Sequence, residues 1–452
     1  MNTALVVFSR DLRIGDHPAL AAAAAAEHVV PAFIFDASIL QSSFNCANRT
    51  GFLLDALADL DAQLRELGAA LMTRQGVWVD EVMRLVHDTG AQEIHLSLDT
   101  SAYATKRYRA LEDACAQARI ALHVHPGINV VTPGAVSPSG GGDHFKVFTP
   151  YWRAWEAVPL RAIARTPKRL ALPPNVSPNP LPTIDALVRG SQSPEVMRGG
   201  ELVARARLNA WVKTDLAVYD EIHNDLPGDR TSRLSPYLHF GCISPTEIVH
   251  KLRGRPGAEP FIRQLCWRDF YQQVLAARPD AAWADYKHRG DYWNTDPDAL
   301  EAWKAGQTGF PVVDAGMRQL QREGFMHNRT RMIVASFLTK DLGIDWRVGA
   351  AHFLDWLIDG DIASNNLNWQ WTAGTGTDTN PHRIFNPTVQ GQRFDPNGEY
   401  IRRYVPELHA VHGKAIHEPH LLAPAVQEAL AYPAPIVDHH EAIAEYRARR
   451  KM

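Results

Sequence analysis

The chain has 452 residues, of which 45% are hydrophobic and 21% charged, and its formal net charge is −3. This length predicts two or three domains, and the composition is that of an ordinary globular protein. A membrane-spanning protein is excluded, since no run approaches the roughly 18 apolar residues of a transmembrane helix. Four scattered cysteines favour a reducing cytoplasm over a disulfide framework. The small net charge neither indicates nor excludes nucleic-acid binding, because it can hide a local basic surface.

Residues 1–130 alternate short apolar runs with longer amphipathic ones, which predicts an α/β domain. The apolar runs are typical of strands buried on both faces; they are residues 4–8, 29–35, 71–73, 93–97 and 122–124. Helical patterns lie between them, as at 51–67 and 101–119. This βαβ series predicts a five-stranded, parallel, Rossmann-like sheet with right-handed crossovers.

The loop at residues 9–16, SRDLRIGD, follows the first predicted strand. Ligands of such sheets bind beyond the carboxyl ends of the strands, which is where this loop lies. A solvated turn is the commoner explanation for its charged residues. Neither GxGxxG nor GxxxxGK[ST] occurs in the domain, so the usual phosphate-binding loops are not supported.

Pro and Gly become frequent at residues 131–200, which predicts an interdomain linker. An aromatic cluster at 146–155 interrupts this linker and predicts a helix docked on another element. Residues 201–425 have helical patterns almost throughout, and nine of the twelve tryptophans lie beyond residue 210, which predicts an all-α domain. Residues 426–452 form a C-terminal tail whose basic end, YRARRKM, is expected to be solvated.

Polar and aromatic residues are concentrated at residues 357–371, LIDGDIASNNLNWQW, with two Asp, three Asn and two Trp. Amides and carboxylates beside large indoles suit a polycyclic, hydrogen-bonding ligand. A helix N-terminus capped by Asp361 or Ser364, with the tryptophans in the core, explains the same pattern without a ligand. The HEPH at 417–420 contains a proline and has no cysteine nearby, so no metal site is predicted.

Five longer blocks decide between these interpretations. They are TSRLSPYLHFGCISP (231–245), CWRDFYQQVL (266–275), WKAGQTGFPVVDAGMRQL (303–320), MHNRTRMIVASFLTKDLGIDWR (326–347) and IFNPTVQGQRFDPNGEYIRRYVPEL (384–408). Together with the opening stretch they resemble the photolyase/cryptochrome family, in its order and at similar spacing, up to about residue 410. Within that family the chain is most similar to class I cyclobutane pyrimidine dimer photolyases. The resemblance implies FAD bound in the helical domain.

The resemblance also implies which residues bind FAD. Tyr219 and the TSRLS run would hold the phosphates and ribose, for which backbone N–H groups, hydroxyls and the charge of Arg233 are suited. Arg331 would pair with Asp359 beside the flavin ring, and Asn365 would face flavin N5. The implied cofactor residues are Tyr219, Thr231, Ser232, Arg233, Leu234, Ser235, Arg268, Asp359, Gly360, Asp361 and Asn365, with catalytic roles for Arg331 and Asn365.

Electron-transfer and DNA-binding residues are implied in the same way. Trp303, Trp346 and Trp369 match the indoles that pass an electron between the surface and the flavin. The lesion would be flipped out of the duplex and stacked on aromatic rings. The residues implied for the lesion and the DNA strand are Gln264, Trp267, Tyr271, Asn328, Arg329, Met332, Trp371 and Gln390.

Two positions depart from the cyclobutane photolyase pattern. Gln264 stands where these enzymes usually have a Glu that hydrogen-bonds the dimer, whereas six-four photolyases and animal cryptochromes often have Gln there. An amide cannot carry the charge of a carboxylate, so repair is expected to be slower or the lesion to differ. His223 stands where a DNA-contacting Arg is common, so that contact would be lost or become pH-dependent.

The function implied is light-driven repair of UV-damaged DNA by a carbon–carbon lyase that splits cyclobutane pyrimidine dimers with reduced FAD. The alternatives are a six-four photolyase and a cryptochrome-type photoreceptor; a photoreceptor predicts a long C-terminal extension, whereas about 45 residues follow the last motif. The antenna chromophore stays open between a reduced folate, a deazaflavin, a flavin and none, with 9–16, 35–36 and 99–103 as candidate regions. The resemblance implies a cytoplasmic monomer that does not bind membranes.

Overall fold

A computed structural model of the chain describes residues 2–174 and 176–450. The strands in these residues are β1 (Thr3–Phe8), β2 (His28–Asp36), β3 (Met72–Gly76), β4 (Glu93–Ser97) and β5 (Ala121–His125). They form one parallel sheet in the order β3-β2-β1-β4-β5. Each strand overlaps one predicted strand, so the predicted parallel five-stranded sheet is confirmed. Every residue of the central strand β1 is buried, as expected for a strand covered on both faces.

Most of the remaining described chain is helical, as predicted for the part beyond residue 201. None of the helices in the described ranges combines the length and apolar character that crossing a bilayer requires. The helices are α1 (Pro18–Ala23), α2 (Ala37–Leu40), α3 (Ala47–Glu66), α4 (Trp78–Thr89), α5 (Ala102–Ala118), α6 (Phe148–Ala157), α7 (Ile184–Leu187), α8 (Glu201–Thr214), α9 (Tyr219–Ile222), α10 (Ser235–His239), α11 (Pro245–Leu252), α12 (Ala258–Ala277), α13 (Pro297–Ala305), α14 (Pro311–Glu323), α15 (Asn328–Ser336), α16 (Trp346–Trp356), α17 (Ile362–Ala373), α18 (Pro387–Phe394), α19 (Glu399–Tyr404), α20 (Pro424–Leu430) and α21 (His439–Arg449).

The chain divides into two compact units. Unit 1 consists of residues 1–191, 197–219 and 232–279, and unit 2 of residues 192–196, 220–231 and 280–452. Unit 1 therefore contains the whole sheet, and unit 2 contains α13 to α21. The predicted division into residues 1–130, 131–200, 201–425 and 426–452 stays a prediction.

The core of unit 1 lies between the sheet and the helices α4 and α5. Ile94 and Leu96 of β4 pack there with Val82, Leu85 and Leu111. Since side chains alternate along a strand, the residues between Ile94 and Leu96 and on either side of them point to the opposite face of the sheet. This alternation places the polar residues of β4 together on one face.

The aromatic cluster at 146–155 forms α6, and the predicted docking of this helix is confirmed. Phe148 at its start stacks on Trp267 of α12, with ring centroids 3.7 Å apart and planes 3° from parallel. Tyr151 and Trp155 are buried on the same helix. The proline-rich segment therefore carries an anchored helix within unit 1.

The interpretation of residues 9–16 as a solvated turn is wrong, because Asp11, Arg13 and Asp16 are all buried. The guanidinium of Arg13 donates to the carbonyl oxygens of Gly15, Asp16, Gly127 and Gly241 at 2.9 to 3.1 Å. Asp11 lies 3.0 Å from the ring of His17. Buried charges need such partners, so this loop is part of the packed structure of unit 1.

The expectation of a solvated basic tail is wrong for Tyr446 and Arg450, whereas Arg447 and Arg449 are exposed as expected. Tyr446 is buried, and Arg450 pairs with Asp291 at 2.5 Å between side chains that are both almost inaccessible to solvent. Arg450 also donates to the carbonyl of Ala373 at 3.0 Å. The end of α21 is therefore anchored within unit 2.

Lys340 is buried in a π-helical turn, Phe337–Asp341, that follows α15 in unit 2. Its ammonium donates to the carbonyl of Arg383 and lies 5.7 Å over the ring of Tyr446. Burial is the main cause that lowers the pKa of Lys340 to about 7, with the charge of Arg450 acting in the same direction. Folding of unit 2 is therefore linked to the protonation of this group.

The free energy of unfolding should depend on pH through Lys340. From about pH 7 to the unfolded pKa of 10.5, the unfolded lysine binds a proton that the folded one has lost. The free energy of unfolding should therefore rise with pH in this window, by up to about 1.4 kcal/mol per pH unit. Urea unfolding at a series of pH values measures this rise. Lys340→Met should remove it, whereas Lys414→Met, at an exposed position, should not. Equal slopes in all three proteins would contradict the assignment.

Candidate functional site

The polar segment at 357–371 forms the start and body of α17 in unit 2. Asp361 caps the helix, since its carboxylate accepts a hydrogen bond from the backbone N–H of Ser364 at 2.9 Å. Gly360 precedes the cap and is buried, and Trp369 lies in the core. The helix-cap interpretation is thus confirmed for Asp361 and Trp369. It does not account for the other buried polar groups of this segment.

Arg331 of α15 forms a bidentate pair with Asp359, with N–O distances of 3.1 and 2.9 Å. The Nε of Arg331 also donates to the carbonyl of Met326 at 2.8 Å, which fixes the plane of the guanidinium. Asp359 is buried, so the positive charge offsets the cost of burying the carboxylate. The predicted Arg331–Asp359 pair is therefore present. Thr231, another predicted site residue of unit 2, is half-buried.

The three amides of α17 that follow one another in the sequence differ in what they contact. Asn366 donates to the carbonyl of Ala282 at 2.6 Å and so holds the helix to the preceding chain. Asn368 is exposed. Asn365 donates to Asn366 Oδ1 at 2.9 Å and to the carbonyl of Ala350 at 3.0 Å. Both N–H groups of Asn365 are thus used within unit 2, which leaves its Oδ1 as the atom suited to a ligand.

The three predicted electron-transfer indoles are all buried in unit 2. Trp303 and Trp369 contact edge to face, with centroids 6.1 Å apart, and Phe353 packs against both. The Nε1 of Trp346 donates to Asp285 at 2.9 Å. All three indoles are therefore shielded from solvent. Trp293, which no motif marks, is half-buried and packs against the same hydrophobic cluster.

Five of the residues predicted for DNA lie on α15, α17 and α18 of unit 2; they are Asn328, Arg329, Met332, Trp371 and Gln390. Asn328 is exposed at the start of α15, and its amide lies 3.8 Å from the sulfur of Met332 one turn later. Trp371 is half-buried, and the guanidinium of Arg383 lies 5.1 Å from its ring centroid. Gln390 is half-buried on α18. These positions combine aromatic surface with hydrogen-bonding groups that solvent can reach.

Positive charge is concentrated around Arg329. Its Nε and Nη2 donate to Asn224 Oδ1 at 3.0 and 2.8 Å, and its guanidinium lies 4.4 Å over the ring of Phe394. Burial, followed by the charges of Arg393 and Arg383, lowers the pKa of Arg329. The three arginines are therefore near enough to repel one another. This part of unit 2 is basic although the net charge of the chain is −3.

Unit 1 carries most of the residues predicted for the phosphates and ribose, in the turn before α10. Ser232 and Leu234 are buried, and Ser232 Oγ accepts from the N–H of Leu234 at 3.4 Å. Arg233 between them has a left-handed backbone with φ of 49°, which is uncommon for a residue with a Cβ. Ser235 is exposed as the first residue of α10, and Tyr219 is buried as the first residue of α9.

The α12 residues predicted for the lesion and the flavin follow one another along one helix. One face of Trp267 is covered by Phe148, so only the other face can stack on a ligand. Tyr271 is buried with its ring centroid 5.5 Å from that of Trp267. Gln264 is exposed. Arg268 donates through Nη1 to the carbonyl of Ile128 at 2.8 Å.

Asp269, which sequence reasoning missed, fixes this part of α12. Its fully buried carboxylate accepts from Asn129 Nδ2 and Trp155 Nε1, both at 2.9 Å. It also accepts from the backbone N–H groups of Val130 and Val131 at 3.0 Å. Burial raises the pKa of Asp269 in spite of these donors. One carboxylate thus joins α6, α12 and the segment after β5; it belongs to the CWRDFYQQVL block, in which the sequence assigns roles only to its neighbours.

The candidate antenna regions of unit 1 meet near the carboxyl ends of β2 and β4. Asp36 accepts hydrogen bonds from the hydroxyl of Tyr103 at 2.6 Å and from Arg107 at 3.4 Å. Arg10 of the 9–16 loop lies 3.4 Å from Asp99. This edge is where parallel α/β sheets bind ligands, but the polar groups already pair with one another.

The polar residues around the start of α17 fit the chemistry of FAD. In unit 2, the carboxylates of Asp359 and Asp361 and the amide oxygen of Asn365 offer buried acceptors, with Arg331 as a cation. The buried Nε1 of Trp369 finds no acceptor among the residues that are described. A ring system that carries both donors and acceptors suits such a set.

Known proteins are similar to this chain in sequence and in fold. Residues 4–171 match the family model described as DNA photolyase, and residues 261–452 match the FAD binding domain of DNA photolyase. A deoxyribodipyrimidine photo-lyase of Streptomyces griseus is 49% identical, over 100% of this chain and 99% of its own. A bacterial class III photolyase from Agrobacterium tumefaciens superposes with a TM-score of 0.93 at 33% identity, over 100% and 98% of the two chains. An archaeal photolyase from Sulfolobus tokodaii, solved with two FAD molecules, superposes with a TM-score of 0.87 at 29% identity, over 99% of both chains.

Replacement of Asp269 should destabilise unit 1 strongly. Asp269→Ala would leave four buried N–H groups without their acceptor, which predicts a loss of about 3–5 kcal/mol in the free energy of unfolding. Urea unfolding measures this loss. Asp113→Ala, at an exposed position on α5, should stay within about 0.5 kcal/mol of the original protein. A loss below about 1 kcal/mol in Asp269→Ala would show that the carboxylate does not hold these elements together.

Proposed function

Because the chain belongs to the DNA photolyase family, we propose that it is a deoxyribodipyrimidine photo-lyase that repairs UV-damaged DNA in light. The single observation that carries this proposal is the arrangement around α17. A buried, charge-balanced polar set, Arg331, Asp359 and Asn365, shares one helical unit with a cluster of buried indoles. Such a set suits a flat redox cofactor that exchanges electrons with aromatic residues.

We propose that the bound cofactor is FAD. When bound and reduced, FAD supplies on excitation by light the electron that opens the cyclobutane ring and that returns afterwards. In unit 2, Asp359, Gly360, Asp361 and Asn365 would contact the flavin, and the charge of Arg331 would favour a negatively charged reduced ring. In unit 1, Arg268 is proposed as a further flavin contact. Residues proposed for the phosphates and ribose are Tyr219, Thr231, Ser232, Arg233, Leu234 and Ser235.

We propose that electrons reach the cofactor through the indoles of unit 2. Trp303 and Trp369 are in contact, and Trp346 belongs to the same hydrophobic cluster. Trp293 packs against this cluster and is half-exposed, so it can exchange an electron with a reductant in solution. The exposed end of the path is therefore assigned to Trp293.

DNA is proposed to bind through the aromatic and the basic side chains described above. Stacking of a flipped base on the free face of Trp267, or on Trp371, would contribute about 1–3 kcal/mol for each ring. Arg329, Arg383 and Arg393 would contact phosphates, so binding should weaken as salt increases. The further residues proposed for the lesion and strand are Gln264, Tyr271, Asn328, Met332 and Gln390.

Three further parts of the proposal concern the antenna chromophore, the cellular location and the oligomeric state. The edge around Asp36 and Tyr103 is proposed as the place of an antenna chromophore, because it lies at the carboxyl ends of the strands. A cytoplasmic location is supported by four cysteines that are all buried as free thiols. The monomeric state is carried over from the family resemblance alone.

The decisive experiment measures repair directly. The flavin-loaded protein, reduced under blue light, is mixed with a single-stranded oligonucleotide that carries one thymine cyclobutane dimer. Recovery of thymine absorbance in light, and none in the dark, is the expected result. A protein that binds flavin but restores no thymine would overturn the proposal, and the same assay with a six-four lesion then tests the alternative repair activity.

Gln264 provides a sharper form of this assay. Because an amide cannot carry the negative charge of a carboxylate, Gln264→Glu should change the yield of repair per absorbed photon. We expect an increase, since a protonated carboxyl group can donate a proton to the lesion as negative charge develops there and take it back afterwards. Gln117→Glu, at an exposed position on α5, is the matched control and should leave the yield unchanged. An equal yield in all three proteins would show that residue 264 does not act on the lesion.

Replacement of Trp293 should slow light-driven reduction of the bound flavin. Trp293→Phe keeps the aromatic packing but removes the indole, so we expect the rate to fall at least about tenfold, as for the loss of one necessary step. Absorbance of the flavin under blue light with an external thiol measures the rate. Trp283→Phe is the control, since Trp283 is 59% exposed and lies outside the cluster. If only Trp283→Phe slows the reduction, the path begins elsewhere.

A further inference from the structure

Three ligand-type side chains converge on the outer edge of the sheet in unit 1, on the polar face of β4 and β5. Glu93 and His95 lie two residues apart on β4, and His123 lies opposite His95 on β5. Each can offer one oxygen or nitrogen atom, and the three atoms lie within 4.8 Å of one another. From this geometry we propose that Glu93, His95 and His123 form a binding site for a divalent transition-metal ion of the zinc type.

The distances suit a tetrahedral ion. Oε2 of Glu93 lies 3.5 Å from Nε2 of His95 and 3.5 Å from Nε2 of His123. Bonds of about 2.0–2.1 Å to a tetrahedral zinc ion place ligand atoms roughly 3.3 Å apart. Small side-chain rotations therefore complete the set. Two histidines and one carboxylate are also a known zinc donor set, which leaves the fourth position for water.

An independent observation concerns the second ring nitrogen of His95. Its Nδ1 lies 3.0 Å from Nε2 of His125, which follows His123 by two residues on β5. If Nδ1–H donates to His125, the Nε2 of His95 keeps its lone pair, as a metal ligand requires. This Nε2 is buried and makes no hydrogen bond within the described ranges, although Oε2 of Glu93 lies 3.5 Å away. A buried imidazole nitrogen close to two other ligand atoms is the arrangement expected of a metal site.

The site is open to solvent on one side and buried on the other. The side chain of His123 is 45% exposed and that of Glu93 23%, whereas that of His95 is 6% exposed. A metal ion can thus enter from the edge of the sheet. Most residues of the edge strand β5 are not buried, so a metal bond between β4 and β5 would stabilise the strand with the least packing.

Metal binding to the full-length flavoprotein tests the proposal. The protein is freed of any affinity tag and dialysed against a chelator, and zinc is then titrated against a chromophoric competitor. One equivalent of zinc should bind, and cobalt should give the intense visible bands of a tetrahedral complex. Zinc should also raise the thermal unfolding midpoint, because it binds the folded state alone.

Matched variants separate this site from other surface histidines. His123→Asn should weaken zinc binding at least about tenfold, and His125→Ala, which removes the partner of His95, should weaken it by a similar factor. His87→Asn removes a histidine that is 91% exposed beside Asp88 and should change nothing. Flavin content and light-dependent repair should be unaffected in His123→Asn, so failure here is distinct from failure of the proposed enzyme activity. Absence of stoichiometric zinc binding, or equal binding in His123→Asn, would overturn the site.

Discussion

The carboxylate of Asp269 is the constraint on which the ordered part of unit 1 around α12 depends. It is fully buried and satisfies N–H groups from a side-chain amide, an indole and two consecutive backbone positions. A buried charge is stable only when its hydrogen bonds are complete, so these elements are fixed relative to one another to within hydrogen-bond tolerance. Trp267 and Arg268 directly precede Asp269 in α12, so the hydrogen bonds of Asp269 also fix their orientation. Trp155, near the opposite end of α6 from Phe148, donates one of these bonds. This bond holds α6 on α12 and so supports the stacking of Phe148 on Trp267.

In unit 2, several polar side chains at the start of α17 and along it hold this helix in place. Asp361 caps the helix, and Asn366 and Gln370 hold it to the backbone of residues 281–284. These groups explain much of the polar density of the segment without a ligand. What remains is Asn365, and Asp359 with its guanidinium partner. Most of the polar residues at 357–371 therefore have a structural role. The residues proposed to contact a ligand are few, and the others hold them in place.

The fold could be predicted from the sequence where burial and periodicity act locally. The run TALVVF is buried throughout because it lies in the middle of a parallel sheet, and such a run has few alternatives. The charged loop at 9–16 was misjudged because the partners of Arg13 include carbonyl groups at residues 127 and 241, which no local pattern reveals. The cofactor and DNA residues were assigned by resemblance to whole motifs, and their roles stay predictions.

Features that depend on register were invisible for a related reason. His95 and His123 are 28 residues apart, and only the pairing of β4 with β5 sets them opposite each other. A shift of one residue in that pairing would turn one of the two rings to the opposite face of the sheet. No pattern marks Trp293, because a tryptophan in an irregular segment carries no periodic signal.

Net charge is likewise a poor guide to what unit 2 can bind. Burial, followed by the charges of Arg393 and Arg383, lowers the pKa of Arg329, so positive charge is concentrated in this part of unit 2. The ring of Phe394 and the amide of Asn224 stabilise the guanidinium of Arg329 without neutralising its charge. A polyanion that approached would find charge already concentrated and side chains already oriented, and its binding would relieve the repulsion. Under the proposed function, the duplex backbone is that polyanion. The arginines would then act on the phosphates at contact, where salt screens charge least.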